Sequence, residues 1–408
     1  MKKLYLSDLH IGNGTTRDAF SFDKELVELL NSAAEDNYDE MIIVGDGLEF
    51  MSSVNMNLSD MDQYFRKIDD LDETVIDEIE KHHREVFDAF RNFSRSSKIK
   101  YIIGNHDSYL LFNEKLRKSL IEKLGGEESV DVLPYYFDDE MKIFCVHGNQ
   151  YDIINRYTYD RKNDKILPTF GEYMSHYMKE NFDYLLIEKN VPKEVLKDYH
   201  NVHPTLDVFH WFNYIRNDKN IPINLFEVWT NTFANMIKSD YAKKWMKVNY
   251  PGLRFLSNFF VNKIGGMKLG DFVVRMVMAV RTLKRTDYMY EMAQSLLGAL
   301  GLNAFKKAVD EQLYLCYGNS SPTIVPGELK GCIMGHNHKY CARIVTVDGE
   351  KKFYINTGTW KPVVELIDGK NDKGFEQRIE LTYVIIEKED DNYNVQTIHT
   401  RKLQGISI

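Results

Sequence analysis

The chain is expected to be an α/β protein whose core is interrupted by a large helical insertion. Two observations point to this. Five short apolar runs, Lys3–Leu6, Met41–Val44, Ile99–Ile103, Met141–Cys145 and Cys332–Met334, read as buried strands. Just past each run stand residues that can do chemistry: Asp8-Leu9-His10, Gly45-Asp46-Gly47-Leu48-Glu49, Gly104-Asn105-His106-Asp107, Val146-His147-Gly148-Asn149 and Gly335-His336-Asn337-His338. Strand ends are where α/β folds gather their sites. Second, the strand pattern almost vanishes from about Tyr151 to Ser321, giving way to helical stretches dense in Tyr, Phe, Met and Trp.

Taken in order, the first strand leads to a helix over Phe22–Asp36, with Ser21 in the N-cap position. Val54–Asp72 is rich in Asp, Asn and Met and reads as irregular. A long helix fits Asp72–Ser94, and after the third strand another fits Leu110–Leu124, stopped by Gly125-Gly126. Within the insertion, Tyr173–Glu188 and Phe226–Trp245 read as helices, and Pro322 and Pro326 close the region. Strands return over Ala342–Val347, Lys352–Ile355, Arg378–Glu387 and Val395–Thr400. The expected organisation is a core in two parts, 1–150 and 322–408, around an insertion over 151–321. No internal repeat or low-complexity segment is seen.

Composition bounds the function. The chain has 408 residues, enough for a core plus a second unit, and a hydrophobic fraction of 43% suits a globular protein. The net charge of −9 argues against a broad nucleic-acid face. None of the four cysteines, Cys145, Cys316, Cys332 and Cys341, forms a CxxC pair, so buried free thiols in a reducing compartment are expected. The N-terminus enters a strand at once, leaving no room for a signal peptide, and no apolar stretch is long enough to span a membrane. The expectation is a soluble, cytoplasmic protein.

Carboxylate, imidazole and amide oxygen are the donors that Mn²⁺, Fe, Zn²⁺ and similar ions take. Asp8 and His10 are two apart, so on a strand they share one face, and His336 and His338 repeat the arrangement. Asp46 has two oxygens, enough to bridge two ions. Asn105 offers a neutral oxygen, and His147 a further nitrogen. Each motif alone is weak: an Asp-x-His can decorate a surface turn, and Gly, Asn and Asp are turn residues. Their joint occurrence past successive strands makes the case.

The order of these motifs resembles the calcineurin-like metallophosphoesterase superfamily, over about residues 1–150 and 330–360. That resemblance implies a two-sheet β-sandwich flanked by helices. It assigns Asp8, His10, Asp46 and His338 to one metal and Asp46, Asn105, His147 and His336 to the other. The implied cofactors are two divalent ions, manganese first, with iron, zinc, nickel or magnesium as alternatives. Two ions about 3.5–4 Å apart can share a water, lower its pKa and clamp phosphate oxygens, so that hydroxide attacks phosphorus in line with the leaving group. By resemblance His106 faces the substrate, where it protonates the leaving oxygen or stabilises phosphoryl charge. Asp107 either orients His106 or caps the turn. Glu49 matches an acidic position of many relatives, with an outer-shell or a structural role. Asn356-Thr357-Gly358-Thr359-Trp360 resembles the Asn-Pro-Gly-Ser turn that often follows the last motif, with Thr357 in place of proline.

The implied substrate is a phosphorylated small molecule or a lipid-like phosphoester. His147-Gly148-Asn149-Gln150-Tyr151-Asp152 is similar to the His-Gly-Asp-Glu-Phe-Asp pattern of UDP-2,3-diacylglucosamine hydrolases, which also carry a helical insertion here. Those enzymes have Gly-Asn-Arg-Asp where this chain has Gly-Asn-His-Asp, and their insertion is far smaller. A nuclease and a non-catalytic scaffold are the further alternatives; the acidic chain weighs against the first and the full ligand set against the second. In the insertion, Phe259-Phe260-Val261 and Phe272-Val273-Val274 lie among Lys263, Lys268, Arg275, Arg281, Lys284 and Arg285. They read as an amphipathic core helix, as a cap wall over the site, or as a homodimer surface. His82 and His83 are expected on a helix surface, and His176, His200, His203, His210 and His399 show no ligand spacing.

Overall fold

The computed structural model describes residues 1–15, 18, 20–52, 66, 68–152, 154–160, 162–163, 165–192, 199–203, 207–249, 328–347, 349–368 and 373–407. Its strands are β1 (Lys2–Leu6), β2 (Glu40–Val44), β3 (Lys98–Ile102), β4 (Val130–Leu133), β5 (Tyr136–Asp138), β6 (Ile143–Cys145), β7 (Thr158–Asp160), β8 (Lys165–Leu167), β9 (Val202–His203), β10 (Gly331–Met334), β11 (Cys341–Val347), β12 (Glu350–Asn356), β13 (Pro362–Asp368), β14 (Lys373–Glu389) and β15 (Asn392–Ser407). Its helices are α1 (Asp23–Glu35), α2 (Thr74–His82), α3 (Arg84–Ser94), α4 (Glu114–Leu124), α5 (Phe170–Met178), α6 (Tyr184–Glu188), α7 (Val208–Asp218), α8 (Leu225–Ile237) and α9 (Asp240–Asn249).

The expected sandwich is present. One sheet runs β4-β3-β2-β1-β14-β13-β9, with β15 also on β14; the other runs β11-β12-β10-β6-β5. In the first sheet β1 to β4 are parallel, and in the second β10 is parallel to both β6 and β12. The period-2 alternation of each strand divides its side chains between two cores. Tyr5, Ile42, Val44 and Ile102 meet Ile143, Cys145, Ile333 and Ile355 between the sheets. Leu4, Leu6, Met41, Ile43 and Tyr101 face the helices instead, packing with Leu26, Phe87, Phe90 and Leu120. The charged residue that interrupts this pattern, Lys3, is buried with two carboxylates, Glu40 at 2.5 Å and Asp138 at 2.6 Å. A buried cation without such partners costs several kcal/mol.

Several boundaries differ from the sequence reading. Phe22, not Ser21, precedes α1, with no side-chain cap. The long helix expected over Asp72–Ser94 breaks at His83, whose backbone leaves the helical region at φ −108°, ψ 43°. His83 is buried, not a surface residue. Its Nδ1 lies 2.6 Å from Asp23 and its Nε2 3.1 Å from Asp18, so two carboxylates pin the break. The helix expected from Leu110 starts at Glu114, because Asn113 caps it by accepting from the Leu116 N–H; Ser108–Leu111 forms a 3₁₀ turn. Strands β4, β5 and β13 had too short or too mixed a pattern to be read. Of the expected thiols, Cys145 and Cys332 are buried and free, as is the half-buried Cys341; Cys316 lies outside the described residues.

The described part of the insertion is helical in the main. Tyr173–Glu188 falls on α5 and α6, joined by a π-helical turn over Lys179–Asp183. Phe226–Trp245 falls on α8 and α9, separated at Lys238-Ser239. The exceptions to the all-helical expectation are a two-stranded ribbon, β7 with β8, and β9, which pairs with β13 at the edge of the core sheet. The aromatic density is used in packing: Phe170 lies 4.7 Å from Trp245, and Trp211 reaches 5.0 Å from Phe375 of β14. Phe259–Val261, Phe272–Val274 and the basic residues among them lie outside the described residues, as does nearly all of Val54–Ile68.

The His83 cluster carries a prediction. Burial opposes its charge, but Asp18 and Asp23 outweigh it and raise its pKa. A histidine held above its unfolded value stabilises the fold fully below about pH 6.5, and that gain is lost as pH rises through the folded value. His83→Gln should therefore lower the unfolding free energy by about 1–3 kcal/mol at pH 5.5 and by clearly less at pH 9, as read from urea titrations. An equal loss at both pH values would mean that the charge contributes nothing.

Candidate metal centre

The parallel strands of both sheets end at one edge of the sandwich, and the five motifs meet there. β1 delivers Asp8 and His10, β2 Asp46, β3 Asn105 and His106, β6 His147, and β10 His336 and His338. The loops are zipped together by backbone bonds: the Asp8 N–H donates to Gly45 O at 3.0 Å, the His10 N–H to Asp46 O at 2.9 Å, and the Gly335 N–H to His147 O at 3.0 Å. Asp8, His10, Asp46, His336 and His338 all take positive φ, between 50° and 74°; they are half of the ten non-glycine residues described with that conformation. Each costs on the order of 1–2 kcal/mol for a residue bearing a Cβ. Such strain clusters where function over-determines geometry. Gly104 is required because a Cβ there would strike the Asp46 carboxylate.

The side chains fall into three groups, one of which, His10, Glu49 and His106, shares His10 with another. Asp8, His10 and His338 bring donor atoms together, and so do Asp46, His147 and His336. Within the first, His338 Nε2 lies 3.2 Å from Asp8 Oδ1 and 3.2 Å from His10 Nε2. Within the second, His147 Nε2 lies 3.0 Å from Asp46 Oδ2. The sets touch through Asp46, whose Oδ2 is 3.9 Å from His10 Nε2. Asn105 Oδ1 is buried and has no hydrogen-bond partner among the described residues. An orphaned oxygen of this kind costs about 1–3 kcal/mol unless a ligand takes it. Oxygen and imidazole nitrogen are together the donor set of manganese, iron, zinc and nickel, so the residues fit a pair of such ions.

Outer contacts aim these groups. His147 Nδ1 donates to the Val44 carbonyl at 2.9 Å, which leaves the lone pair on Nε2. His336 Nε2 meets Asp152 Oδ2 at 3.2 Å, which favours the tautomer with its lone pair on Nδ1. Asp46 Oδ1 accepts from the His106 N–H at 2.8 Å, and Asp8 accepts from Ser7 Oγ at 2.5 Å and from the His336 N–H at 3.0 Å. The turn Asn356–Trp360 braces the same strand end: Thr357 Oγ1 meets Ser7 Oγ at 2.6 Å, and Thr359 Oγ1 and the Trp360 N–H both donate to Asp8 O at 3.1 Å. Burial and the nearby Lys361 lower His10 to about 3, keeping its imidazole neutral.

The family model for calcineurin-like phosphoesterases matches residues 1–218. The chain belongs to the calcineurin-like phosphoesterases. The match takes in four of the five motifs and the start of the insertion; His336 and His338 lie beyond it and are joined to it by the geometry above. No curated protein matches the chain as a relative.

In this phosphoesterase His106 stands beside Asn105 at the edge of the cluster, its ring centroid 4.7 Å from that of His10. Its Nδ1 faces two carboxylates, Glu49 at 2.8 Å and Glu172 at 3.3 Å. Burial disfavours its charge, yet Glu49, Glu172 and Asp46 together raise it to about 10. Glu49 also lies 3.4 Å from His10 Nδ1, so its carboxylate, His10 and His106 form a further group of close donor atoms. Asp107 does not reach the His106 ring. Its carboxylate accepts from the Gly104 N–H at 2.5 Å, the Gly47 N–H at 3.0 Å and the Tyr101 hydroxyl at 2.6 Å. Of its two expected roles, the turn-capping one matches these contacts, because its three donors all come from β3 and the turns that follow β2 and β3. Glu172, Asp152 and Tyr157, whose hydroxyl donates to Gly104 O at 2.5 Å, come from the insertion and were not legible as site residues. Thr169-x-x-Glu172 is the only signal for Glu172, and it reads as a helix cap.

Asp107→Ala would leave three buried donors unmatched. It should lower the unfolding free energy by about 2–4 kcal/mol in chemical denaturation. Unchanged stability with lost turnover would instead return Asp107 to a catalytic role.

Proposed function

We propose that the chain is a binuclear metal-dependent phosphoesterase. Asp8, His10, Asp46 and His338 hold one divalent ion and Asp46, Asn105, His147 and His336 the other, with manganese the first choice. The observation that carries this is the approach of two donor sets, Asp8 with His10 and His338 and Asp46 with His147 and His336, at the Asp46 carboxylate, beside the orphaned Asn105 oxygen. Two such ions held there would acidify a bound water and neutralise phosphoryl oxygens. The chain's own residues supply the rest. His106 turns Nδ1 toward Glu49 and Glu172, so its Nε2 edge is presented to a substrate, where it protonates the leaving oxygen or steadies charge on the phosphoryl group. Its side chain keeps 23% of its exposure among neighbours that are almost fully buried, which suits contact with an incoming molecule.

The core spans 1–150 and 322–408, and the insertion, 151–321, acts as a cap that shapes substrate choice. The substrate is a phosphorylated small molecule or a lipid-like phosphoester, monoester or diester; the net charge of −9 weighs against nucleic acid. A cytoplasmic location accords with the chain, and no helix among the described residues is long and apolar enough to cross a membrane. A homodimer contact is the competing role for the insertion, where Tyr184 and Ile187 of α6 are exposed. A pyrophosphatase acting on a lipid-linked nucleotide is the second reading. In its favour, Asp152, which ends the run similar to UDP-2,3-diacylglucosamine hydrolases, contacts His336.

A hydrolysis screen over phosphomonoesters, diesters and nucleotide pyrophosphates, each with Mn²⁺, Ni²⁺, Zn²⁺ and Mg²⁺, tests the reading. Turnover with none of them would favour a scaffold. Asp46→Asn should lose more metal than His10→Ala or His147→Ala, because a bridging carboxylate serves both ions; full metal content in Asp46→Asn by elemental analysis would remove the bridging role. His106→Ala should keep both ions yet lose roughly 10²–10⁴-fold in turnover. The loss should shrink for p-nitrophenyl phosphate, whose leaving group needs little protonation. Loss of metal from that variant would contradict its assignment.

A further inference from the structure

Glu172 belongs to α5, in the insertion, three residues after the N-cap Thr169, whose hydroxyl accepts from the Glu172 N–H at 3.2 Å. In the usual capping box the glutamate carboxylate turns back to the N-cap N–H. Here it turns away, into the metal centre. Its Oε1 lies 2.8 Å from His176 Nε2, one helical turn on, and its Oε2 lies 3.3 Å from His106 Nδ1. Glu172 is 1% exposed, and Oε2 makes no hydrogen bond among the described residues. Burying a carboxylate oxygen this way is costly unless a donor faces it. His106 Nδ1, itself buried with no hydrogen bond among the described residues, faces that oxygen and stands between a core carboxylate, Glu49, and this insertion carboxylate.

We infer that Glu172 is a positioning residue for His106, so that the insertion completes the reaction machinery as well as shaping substrate choice. This rests on the phosphoesterase reading. The physical argument is torsional: an imidazole free to turn about χ2 presents Nε2 over a wide arc, whereas one whose Nδ1 is drawn toward carboxylates from two elements presents it over a narrow one. His176 holds Glu172 in the rotamer that reaches His106. Positional precision of this kind governs how well a proton donor meets its target.

The test uses the full chain in four forms: wild type, Glu172→Gln, His106→Ala and the double variant. Turnover of an alkyl phosphate by the Mn²⁺-loaded protein should fall about 10–100-fold in Glu172→Gln, with KM within about twofold and metal content unchanged. In the His106→Ala background the same substitution should change kcat by less than about twofold, since a residue acting through His106 has nothing left to act on. In the Zn²⁺-loaded protein, the ¹⁵N-histidine signal of His106, identified by its loss in His106→Ala, should move in Glu172→Gln. Glu172→Asp, with the charge on a shorter arm, should recover part of kcat, and it replaces Glu172→Gln should that variant not fold. Multiplicative losses in the double variant, or an unchanged kcat in Glu172→Gln, overturn the inference. Were the wild type to turn over no phosphoester, the phosphoesterase reading would fall, and the histidine signal alone would decide: unmoved, it overturns the positioning role; moved, it upholds it.

Discussion

A carboxylate buried at the end of a strand is tolerable only where hydrogen bonds and opposite charge replace water, since the effective penalty runs to several kcal/mol. Asp46 is 1% exposed, and much of the site is arranged around meeting that demand. Oδ1 takes the His106 N–H and Oδ2 faces His147. Burial pushes Asp46 toward the neutral form, but His147 and His106 hold it well below the usual carboxylate range. The neighbouring carboxylate of Asp8 adds like charge, and burial raises it. Two such carboxylates among convergent imidazole nitrogens form a cluster that divalent cations would stabilise. The left-handed backbone of five of the motif residues is the conformational cost of bringing them together.

That demand explains the rest of the architecture. Parallel strands from two sheets end at the same edge, so each contributes one or two donors without a long loop. Asp107 and Tyr101 lock the β2 and β3 loops to each other, and the Asn356–Trp360 turn fixes the β1 end. The insertion is tied into the same network. Its described residues Asp152, Tyr157 and Glu172 reach back to the motif loops. Its aromatic core packs on β14 through Trp211, and β9 extends the core sheet at β13.

The five motifs and the strands before them were legible in the sequence because their signal is local: a short apolar run followed by a donor residue needs no tertiary information. The ends of α1 and α4 were misplaced because capping by Asn113 and the bare start at Phe22 depend on which hydrogen bonds win. The break at His83 was hidden because the partners that cause it, Asp18 and Asp23, lie 65 and 60 residues away. Glu172 was hidden for the same reason: its spacing from Thr169 satisfies a local rule, while its partner is 66 residues upstream. Asp107 was ambiguous in sequence because an acceptor next to a histidine serves either a loop or a ring, and only the neighbouring N–H groups decide.

The central claim is that two ions share Asp46. An anomalous-diffraction map from crystals grown with Mn²⁺ tests it most directly. The account predicts two peaks about 3.5–4 Å apart, one beside Asp8, His10 and His338, the other beside Asn105, His147 and His336, with Asp46 between them. A single peak, or two peaks that do not both contact Asp46, would contradict it.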